Sequence, residues 1–292
     1  MNAMKKILEI HKSSSPHWVG DGFPVRSILP SQRLGPEISP FLLLDYGGPV
    51  EFSPTDQSRG VDEHPHRGFE TVTIVYQGEL EHRDSTGNHG SIGPGDVQWM
   101  TAASGIVHEE RHSSEFAKRG GMFEMVQLWI NLPAKFKTSP PGYQTLLKRD
   151  IPVVNLMNES GAVCVIAGNF QGVKGAARTF TPINLWDMRL RAGRRAELSL
   201  PEGYTTLLVS LRGKSVLNGT EKIGEAELAW FDRQGENIII EAEEEATMLV
   251  LNGAPIDEPV FSHGPFVMNT SEEIRQAMLD YQSGRMGRIP SH

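Results

Sequence analysis

One stretch of this chain occurs twice, and the repeat constrains the fold more than any other feature. Residues 68–78 (GFETVTIVYQG) align without gaps on residues 203–213 (GYTTLLVSLRG). Residues 92–100 (IGPGDVQWM) then align on residues 223–231 (IGEAELAWF), in the same order and at nearly the same offset. Two ordered matches indicate an internal duplication. With 292 residues, the chain is long enough for two domains of ordinary size.

Each copy consists of short apolar segments separated by turns. Residues 71–76 are all β-branched or aromatic, the mainly apolar run 122–132 indicates a longer buried strand, and glycine- and proline-rich turns lie between such segments. This pattern predicts an all-β fold of two tandem antiparallel β-barrels. The Lys- and Pro-containing segment 134–142 is the expected linker, and the predicted domains are residues 1–140 and 141–292.

The C-terminal end departs from the β pattern. Thr270 and Glu273 have the spacing of a capping box, in which a Thr side chain and a Glu side chain satisfy the first backbone N–H groups of a helix. Apolar residues then recur on one helical face at Ile274, Ala277, Met278 and Tyr281. The sequence therefore predicts a short C-terminal helix over about residues 271–283.

Histidines flank the first copy of the repeat. His64 and His66 precede it, and His108 and Glu110 follow it. Side chains at i and i+2 of a strand share a face, so each pair would project to one side. Imidazole nitrogens with one carboxylate suit Fe, Mn, Ni, Cu or Zn, and four protein ligands leave two positions of an octahedral metal open.

The second copy lacks this set. The same alignment places Ser199, Pro201 and Ile239 where the first copy has histidines, and only Glu241 could still ligate. We therefore expect metal in the first barrel and none in the second.

Other residues compete for the carboxylate position. Glu70 follows His66 by four residues, so on a strand the two share a face and spacing does not exclude Glu70 as a ligand. Glu109 has the opposite parity to His108 and should point away. The remaining histidines of this region are expected to be exposed or hydrogen-bonded: His82, His89 and His112. Five bulky residues would line a pocket for a flat aromatic ligand or belong to the core: Phe69, Trp99, Met100, Met122 and Met125.

Composition argues against several other functions. The net charge of −8 disfavours direct nucleic-acid binding, which needs a basic face. No apolar run approaches the ~18 residues of a membrane span, and no apolar segment follows Lys5 and Lys6 as in a signal peptide. Neither a Ser-His-Asp arrangement nor a phosphate-binding loop is evident. We expect a cytoplasmic protein without membrane contact.

Four segments resemble the pirin family of bicupins, and they extend over most of the chain. They are HPHRGFETV (64–72), PGDVQWMTAASGIVHEE (94–110), PFLLLDYGG (40–48) and GPFVMNT (264–270). The resemblance implies two cupin-type barrels, with metal held in the first by His64, His66, His108 and Glu110. It places Glu70 beside the ligands rather than among them. Pirins usually have His-Ala-Glu where this chain has Glu109 between His108 and Glu110, a change not expected to affect ligation.

The resemblance also implies a cofactor and two functional hypotheses. Fe(II) is the favoured metal, with Mn, Ni, Cu, Co and Zn as alternatives. The first hypothesis is an enzyme of the quercetin 2,3-dioxygenase type, which opens a flavonol ring with O₂ and uses Glu110 as the base for the substrate hydroxyl. The second is a metal- or redox-sensing regulatory protein that acts through a protein partner, as mammalian pirin does in the nucleus.

Overall fold

A computed structural model describes residues 3–13, 15–29 and 35–290. The sequence Pro30-Ser31-Gln32 predicts a turn, and these residues lie outside the described range. The first twelve described strands are β1 (Ile7–Lys12), β2 (His17–Val19), β3 (Phe23–Ser27), β4 (Phe41–Phe52), β5 (Gly60–His66), β6 (Phe69–Gln77), β7 (Leu80–Asp84), β8 (His89–Ile92), β9 (Val97–Thr101), β10 (Ile106–His112), β11 (Gly121–Asn131) and β12 (Gly142–Leu146).

The second half of the chain is also mostly strand. Its strands are β13 (Val153–Asn155), β14 (Gly161–Ala167), β15 (Asn169–Phe170), β16 (Val173–Lys174), β17 (Ile183–Leu190), β18 (Arg195–Ser199), β19 (Thr205–Arg212), β20 (Ser215–Leu217), β21 (Glu221–Ile223), β22 (Glu227–Phe231), β23 (Asn237–Ala242), β24 (Ala246–Gly253), β25 (Phe261–His263) and β26 (Phe266–Met268). The described α-helices are α1 (Ser114–Arg119) and α2 (Ser271–Gln282), and short 3₁₀ turns lie at Gly35–Ile38, Ala134–Phe136, Lys148–Asp150 and Met157–Glu159. No described helix has the length and apolar character needed to cross a bilayer.

The chain divides into two compact units that are not contiguous in sequence. The histidine unit comprises the described residues of Ser15–Ser27, Phe41–Lys148 and Ile256–His292. The aliphatic unit comprises those of Met1–Ser14, Ile28–Pro40 and Arg149–Pro255. The units differ from the predicted domains 1–140 and 141–292 because each end of the chain belongs to the unit built mainly from the other half.

Both units have the same strand order, which supports the internal duplication. The seven-stranded antiparallel sheets run β12-β9-β6-β11-β4-β3-β2 in the histidine unit and β1-β22-β19-β24-β17-β14-β13 in the aliphatic unit. The four-stranded sheets run β5-β10-β7-β8 and β18-β23-β20-β21. The repeated sequence segments therefore form the strands at matching places, β6 with β19 and β9 with β22.

An apolar core joins the two sheets of each unit. In the histidine unit Phe123 and Met125 of the large sheet pack with Leu80 and Ile92 of the small one. Among the described strands no pairing links the large sheet to the small one, so each unit is a sandwich of two sheets rather than a closed ring. The all-β prediction with one C-terminal helix is confirmed.

The C-terminal tail packs on the histidine unit through α2. The predicted cap is present: Thr270 Oγ1 accepts a hydrogen bond from the Glu273 N–H at 3.1 Å. Ile274 and Ala277 are buried in a cluster with Phe266, whereas Tyr281, expected on the same face, is 40% exposed. The predicted apolar face of α2 thus packs the tail in place, although the buried part of that face ends one turn before Tyr281.

Two buried contacts hold the tail next to the first histidines. Gly68 has a φ of 90°, and a Cβ there would lie 1.9 Å from the Val267 carbonyl oxygen, so only glycine fits. The buried Lys137 ammonium donates to the carbonyl oxygens of Gly68 (2.6 Å) and Val267 (2.9 Å) and to Asn131 Oδ1 (2.6 Å). The segment before β26 is therefore set at the edge of the site described next.

Candidate metal centre

The predicted ligands lie on two neighbouring strands of the small sheet in the histidine unit. β5 carries His64 and His66, β10 carries His108 and Glu110, and the two strands pair antiparallel with His108 opposite His64. The register shifts between His108 and Glu110, so the pairing of Glu110 moves on to Val61. Glu110 thus lies opposite a β5 residue three positions before His64.

Three histidines come together as the sequence predicts. The ring centroids of His64 and His108 are 4.2 Å apart, and each is 4.8 Å from that of His66. One nitrogen from each ring lies within 4.8 Å of the others. His66 and His108 are buried and His64 is half-buried, so the group can hold a cation with one side accessible.

Glu110 belongs to a second, overlapping group. Its carboxylate lies within 4.8 Å of ring nitrogens of His108 and His82. His108 is shared by both groups, and it connects the three-histidine cluster to the carboxylate. The four predicted ligands therefore adjoin one another through His108 rather than forming one compact set.

The ring nitrogens fit a metal ion. Nδ1 of His66 and Nε2 of His108 are buried without a hydrogen-bond partner among the described residues. His64 Nδ1 donates to the Asp62 carbonyl oxygen at 2.8 Å, which leaves its Nε2 as a lone-pair donor. A buried polar atom without a partner costs about 1–3 kcal/mol, and a bound cation removes that cost.

Burial keeps two of the rings neutral. Desolvation, reinforced by His64, holds the pKa of His66 well below its usual value. Desolvation and the neighbouring histidines do the same for the pKa of His108. Neutral imidazole is the form that ligates metals, so protons do not compete for these nitrogens at neutral pH.

Polar side chains of the large sheet reach Glu110. Thr73 Oγ1 lies 3.1 Å from Glu110 Oε1 and 2.6 Å from Gln127 Oε1. Gln98 Nε2 donates to Glu110 Oε1 at 3.4 Å, and Gln127 Nε2 donates to Oε2 at 3.5 Å. These long contacts hold the carboxylate in place without saturating it.

A cavity of about 360 Å³ opens beside the histidines. Such a volume lies within the range of small-molecule sites. Its lining is mostly apolar and comprises Val19, Phe23, Val25, Leu43, Asp45, Val61, His64, His66, Glu110, Met125, Gln127, Trp129, Gly264 and Pro265. Phe69 packs behind it, with its ring centroid 5.1 Å from that of His66 and 4.4 Å from that of Trp129.

Several predicted site residues lie elsewhere. Glu70 alternates with Phe69 on β6 and so projects to the opposite face of the sheet, where it accepts from Thr101 Oγ1 at 2.7 Å. Trp99 projects to that same face. Of the predicted methionines, Met125 lines the cavity, whereas Met100 packs in a small separate cluster and Met122 is 41% exposed.

The predictions about the remaining polar residues hold where hydrogen bonds test them. Glu109 points away from the cluster, as expected, and accepts from Arg83 Nε at 2.6 Å. His112 Nε2 donates to the Gly22 carbonyl oxygen at 2.9 Å, and His89 is exposed. His82 is hydrogen-bonded, but it lies against His108 and forms part of the site.

Sequence reasoning missed the polar residues that β4 and β11 contribute. Gln127 and Trp129 alternate with apolar residues on β11, and Asp45 follows three leucines on β4 directly opposite Gln127. Burial raises the pKa of Asp45, although Ser27 Oγ donates to it at 2.6 Å. A polar side chain at the inward parity of an apolar strand was the available signal.

Comparisons with known proteins agree with this architecture. A family model described as Pirin matches residues 22–130, and one described as the Pirin C-terminal cupin domain matches residues 185–287. A Pseudomonas aeruginosa protein provisionally named a quercetin 2,3-dioxygenase is 55% identical over 98% of this chain and 99% of its own. Human pirin is 36% identical over 86% of this chain and 83% of its own.

A solved structure extends the likeness to the fold. The crystal structure of a quercetin 2,3-dioxygenase from Acinetobacter baumannii superposes with a TM-score of 0.96 at 51% identity, and covers 99% of this chain and 100% of its own. Together with two cupin units and a His/Glu cluster that could hold a metal, these matches show that the chain belongs to the pirin family.

Proposed function

We propose that this protein is a metal-dependent dioxygenase of the quercetin 2,3-dioxygenase type, which opens a flavonol ring with O₂. The observation that carries the proposal is a cluster of histidines with unpartnered ring nitrogens beside an apolar cavity. The names of relatives more than 50% identical over nearly the whole chain support it.

His64, His66 and His108 would hold the ion, with Glu110 next to His108 as the fourth ligand. Fe(II) is the proposed metal, and Mn, Ni, Cu, Co and Zn suit the same donors. When bound, such an ion supplies Lewis-acid polarisation of the substrate hydroxyl and a centre at which O₂ can react.

The protein's own side chains would bind and orient the substrate. A flat aromatic molecule fits between apolar walls that include Leu43, Met125 and Trp129. Gln127 and Asp45 offer polar contacts to phenolic hydroxyls on the same side of the cavity. The apolar walls exclude water, which strengthens the electrostatic contacts made inside.

Glu110 would act as the base for the flavonol hydroxyl. It is the one carboxylate that both lines the cavity and adjoins a cluster histidine. Its hydrogen bonds from Thr73, Gln98 and Gln127 are 3.1 Å or longer, so an oxygen lone pair stays available to take a proton.

The test is substitution of a buried ligand. His66→Ala should abolish bound metal, measured by elemental analysis, and flavonol turnover, measured as oxygen uptake with quercetin under air. Glu241→Gln is the matched control, because the duplicate alignment places Glu241 at the Glu110 position while its side chain is 46% exposed near Arg195. Undiminished turnover in His66→Ala would contradict the proposal.

The regulatory hypothesis and the cytoplasmic location stay predictions. A pull-down with reduced and oxidised protein tests the first, and failure to retain a partner in either state would contradict it. Cell fractionation tests the second.

A further inference from the structure

A series of buried, hydrogen-bonded side chains connects the Asp84 carboxylate through His82 to His108, the histidine shared by both groups. β7 pairs with β10 so that Asp84 lies opposite His108 and His82 lies opposite Glu110. Both β7 side chains are almost fully buried and face the cluster. Their contacts determine which nitrogen of each ring carries the proton.

Asp84 is held as a carboxylate. Its Oδ1 accepts from the Thr86 N–H (2.8 Å), the Thr86 hydroxyl (2.7 Å) and the Asn88 N–H (3.1 Å), and Oδ2 accepts from Asn88 Nδ2 (3.0 Å). An ionised carboxylate only accepts hydrogen bonds. His82 Nε2, 3.3 Å from Asp84 Oδ2, must therefore donate and carry the proton.

The other nitrogen of His82 is consequently an acceptor. Tyr143 donates its hydroxyl proton to Gln98 Oε1 at 3.0 Å, which turns the Gln98 amide nitrogen toward His82 Nδ1, also at 3.0 Å. The Tyr143 ring stacks on His82 with a centroid distance of 4.9 Å and an interplanar angle of 23°. The ring is thus fixed in orientation as well as in tautomer.

The tautomer of His82 in turn determines the tautomer of His108. His108 Nδ1 lies 3.4 Å from His82 Nδ1, whose single lone pair also faces Gln98 Nε2 at 3.0 Å, so this longer, shared contact is favourable only if His108 Nδ1 carries a proton and donates it. A neutral imidazole has one N–H, which leaves His108 Nε2 as a lone pair. That Nε2 is the buried atom without a partner among the described side chains.

We infer that His82 and Asp84 form a positioning pair that fixes the tautomer of His108 and aims its Nε2 at the metal. This inference rests on the proposed metal site and adds to it a means of presetting one ligand before metal binds. Hydrogen-bond partners of metal-ligating histidines commonly set ligand orientation, and their loss typically weakens metal affinity about 10- to 100-fold.

The first test uses metal-free protein. With ¹⁵N-labelled histidine, two-bond ¹⁵N–¹H correlation spectra assign the protonated nitrogen of each neutral ring. We expect His108 to carry its proton on Nδ1 in the wild type and to lose that preference in His82→Leu. Protonation of His108 on Nε2 in the wild type would overturn the inference, whatever the protein's activity.

The second test uses cobalt(II) as the probe, titrated by visible absorption without any flavonol. His82→Leu should raise the Kd about 10- to 100-fold. His82→Gln should restore most of the affinity, because its amide oxygen can accept from His108 and its amide nitrogen can donate to Asp84. His112→Gln is the control, since His112 is a buried, hydrogen-bonded histidine of β10 that does not contact the cluster rings by any described hydrogen bond.

The outcomes separate the two proposals. Equal weakening by His82→Leu and His82→Gln, or unchanged affinity in His82→Leu, would overturn the positioning role. Thermal unfolding tests whether each variant is folded. If His82→Leu does not fold, Asp84→Asn supplies a second variant that disrupts the same pair. Wild-type protein that binds cobalt as expected but does not turn over quercetin would contradict only the proposed function.

Discussion

The two units share a strand order but differ in what fills their interiors. A cross-strand row in the large sheet shows the difference residue by residue. In the histidine unit the register places Asp45 opposite Gln127, Gln127 opposite Thr73, and Thr73 opposite Gln98. The matching row of the aliphatic unit, in the same order, is Trp186, Val250, Leu208 and Ala229.

The small sheets differ in the same way. The inward side chains of β5, β7 and β10 include four histidines and two carboxylates. The buried apolar residues of β18, β20 and β23 pack in one cluster: Ala196, Leu198, Leu217, Ile238, Ile240 and Ala242. One backbone arrangement thus supports either a polar site or an apolar core, and the inward side chains alone decide which.

The largest expected effect comes from exchanging one position of the row between the units. Val250→Gln buries an amide among aliphatic side chains and should lower the free energy of unfolding by about 3–5 kcal/mol, the sum of an unsatisfied polar group and a misfit in volume. Gln127→Val, the reciprocal change, should lower it by about 1 kcal/mol, because Thr73 loses the Gln127 acceptor but keeps Glu110 Oε1 at 3.1 Å. Urea unfolding measures both; equal losses would contradict the comparison.

A pH effect should distinguish Glu70 from its neutral counterpart Thr205. Burial raises the pKa of Glu70 to about 7 from its ordinary value of 4.5, so the folded protein holds this proton more tightly than the unfolded chain and loses stability as pH rises between these values. Glu70→Gln should remove a cost on the order of 3 kcal/mol above that window and little below it.

The matched control for Glu70→Gln is Thr205→Val, which removes a buried hydroxyl that donates to the Ser39 carbonyl oxygen. Its effect on stability should be the same at both ends of the pH window. Unfolding free energies of both variants, measured across the pH window, test this prediction. A pH-independent effect of Glu70→Gln would contradict the raised pKa of Glu70.

Metal binding should stabilise one unit and not the other. At a free metal concentration of 100 times the Kd, binding to the folded state alone adds about 2.7 kcal/mol. Hydrogen exchange followed by mass spectrometry should show the added protection in β5, β7 and β10. Equal protection in β18, β20 and β23 would show that the aliphatic unit responds as well.

The smallest predicted effect concerns the tail that belongs to the histidine unit. Thr270→Ala removes the side-chain cap of α2 and should cost about 1 kcal/mol. Hydrogen exchange should then quicken in α2 while β19 and β24 keep their protection. Faster exchange in those strands would contradict the assignment of the tail.

Local patterns in the sequence predicted much of this fold. The repeat identified β6 with β19 and β9 with β22, and alternation placed His64 and His66 on one face. The pairing of β1 with β22 could not be predicted, because strands more than 200 residues apart share no local signal.

The limits at the site have equally specific causes. The i, i+2 rule correctly placed His108 and Glu110 on one face of β10, but it gives no information on the neighbouring strand, and the regular pairing with β7 sets Glu110 beside His82 rather than beside the β5 histidines. The ungapped alignment matched Glu110 with Glu241, whose side chain faces outward near Arg195. His82 carried no sequence signal of its own because its role depends on Asp84 and Gln98, which reach it only in the folded sheets.

Metal is expected to bind in the histidine unit alone. Metal content per chain, measured by elemental analysis after reconstitution with Fe(II) without oxygen and removal of excess ion, tests it most directly when wild type and His108→Ala are compared. One ion per wild-type chain and none in the variant are expected. Two ions per chain, or an ion retained by His108→Ala, would contradict it.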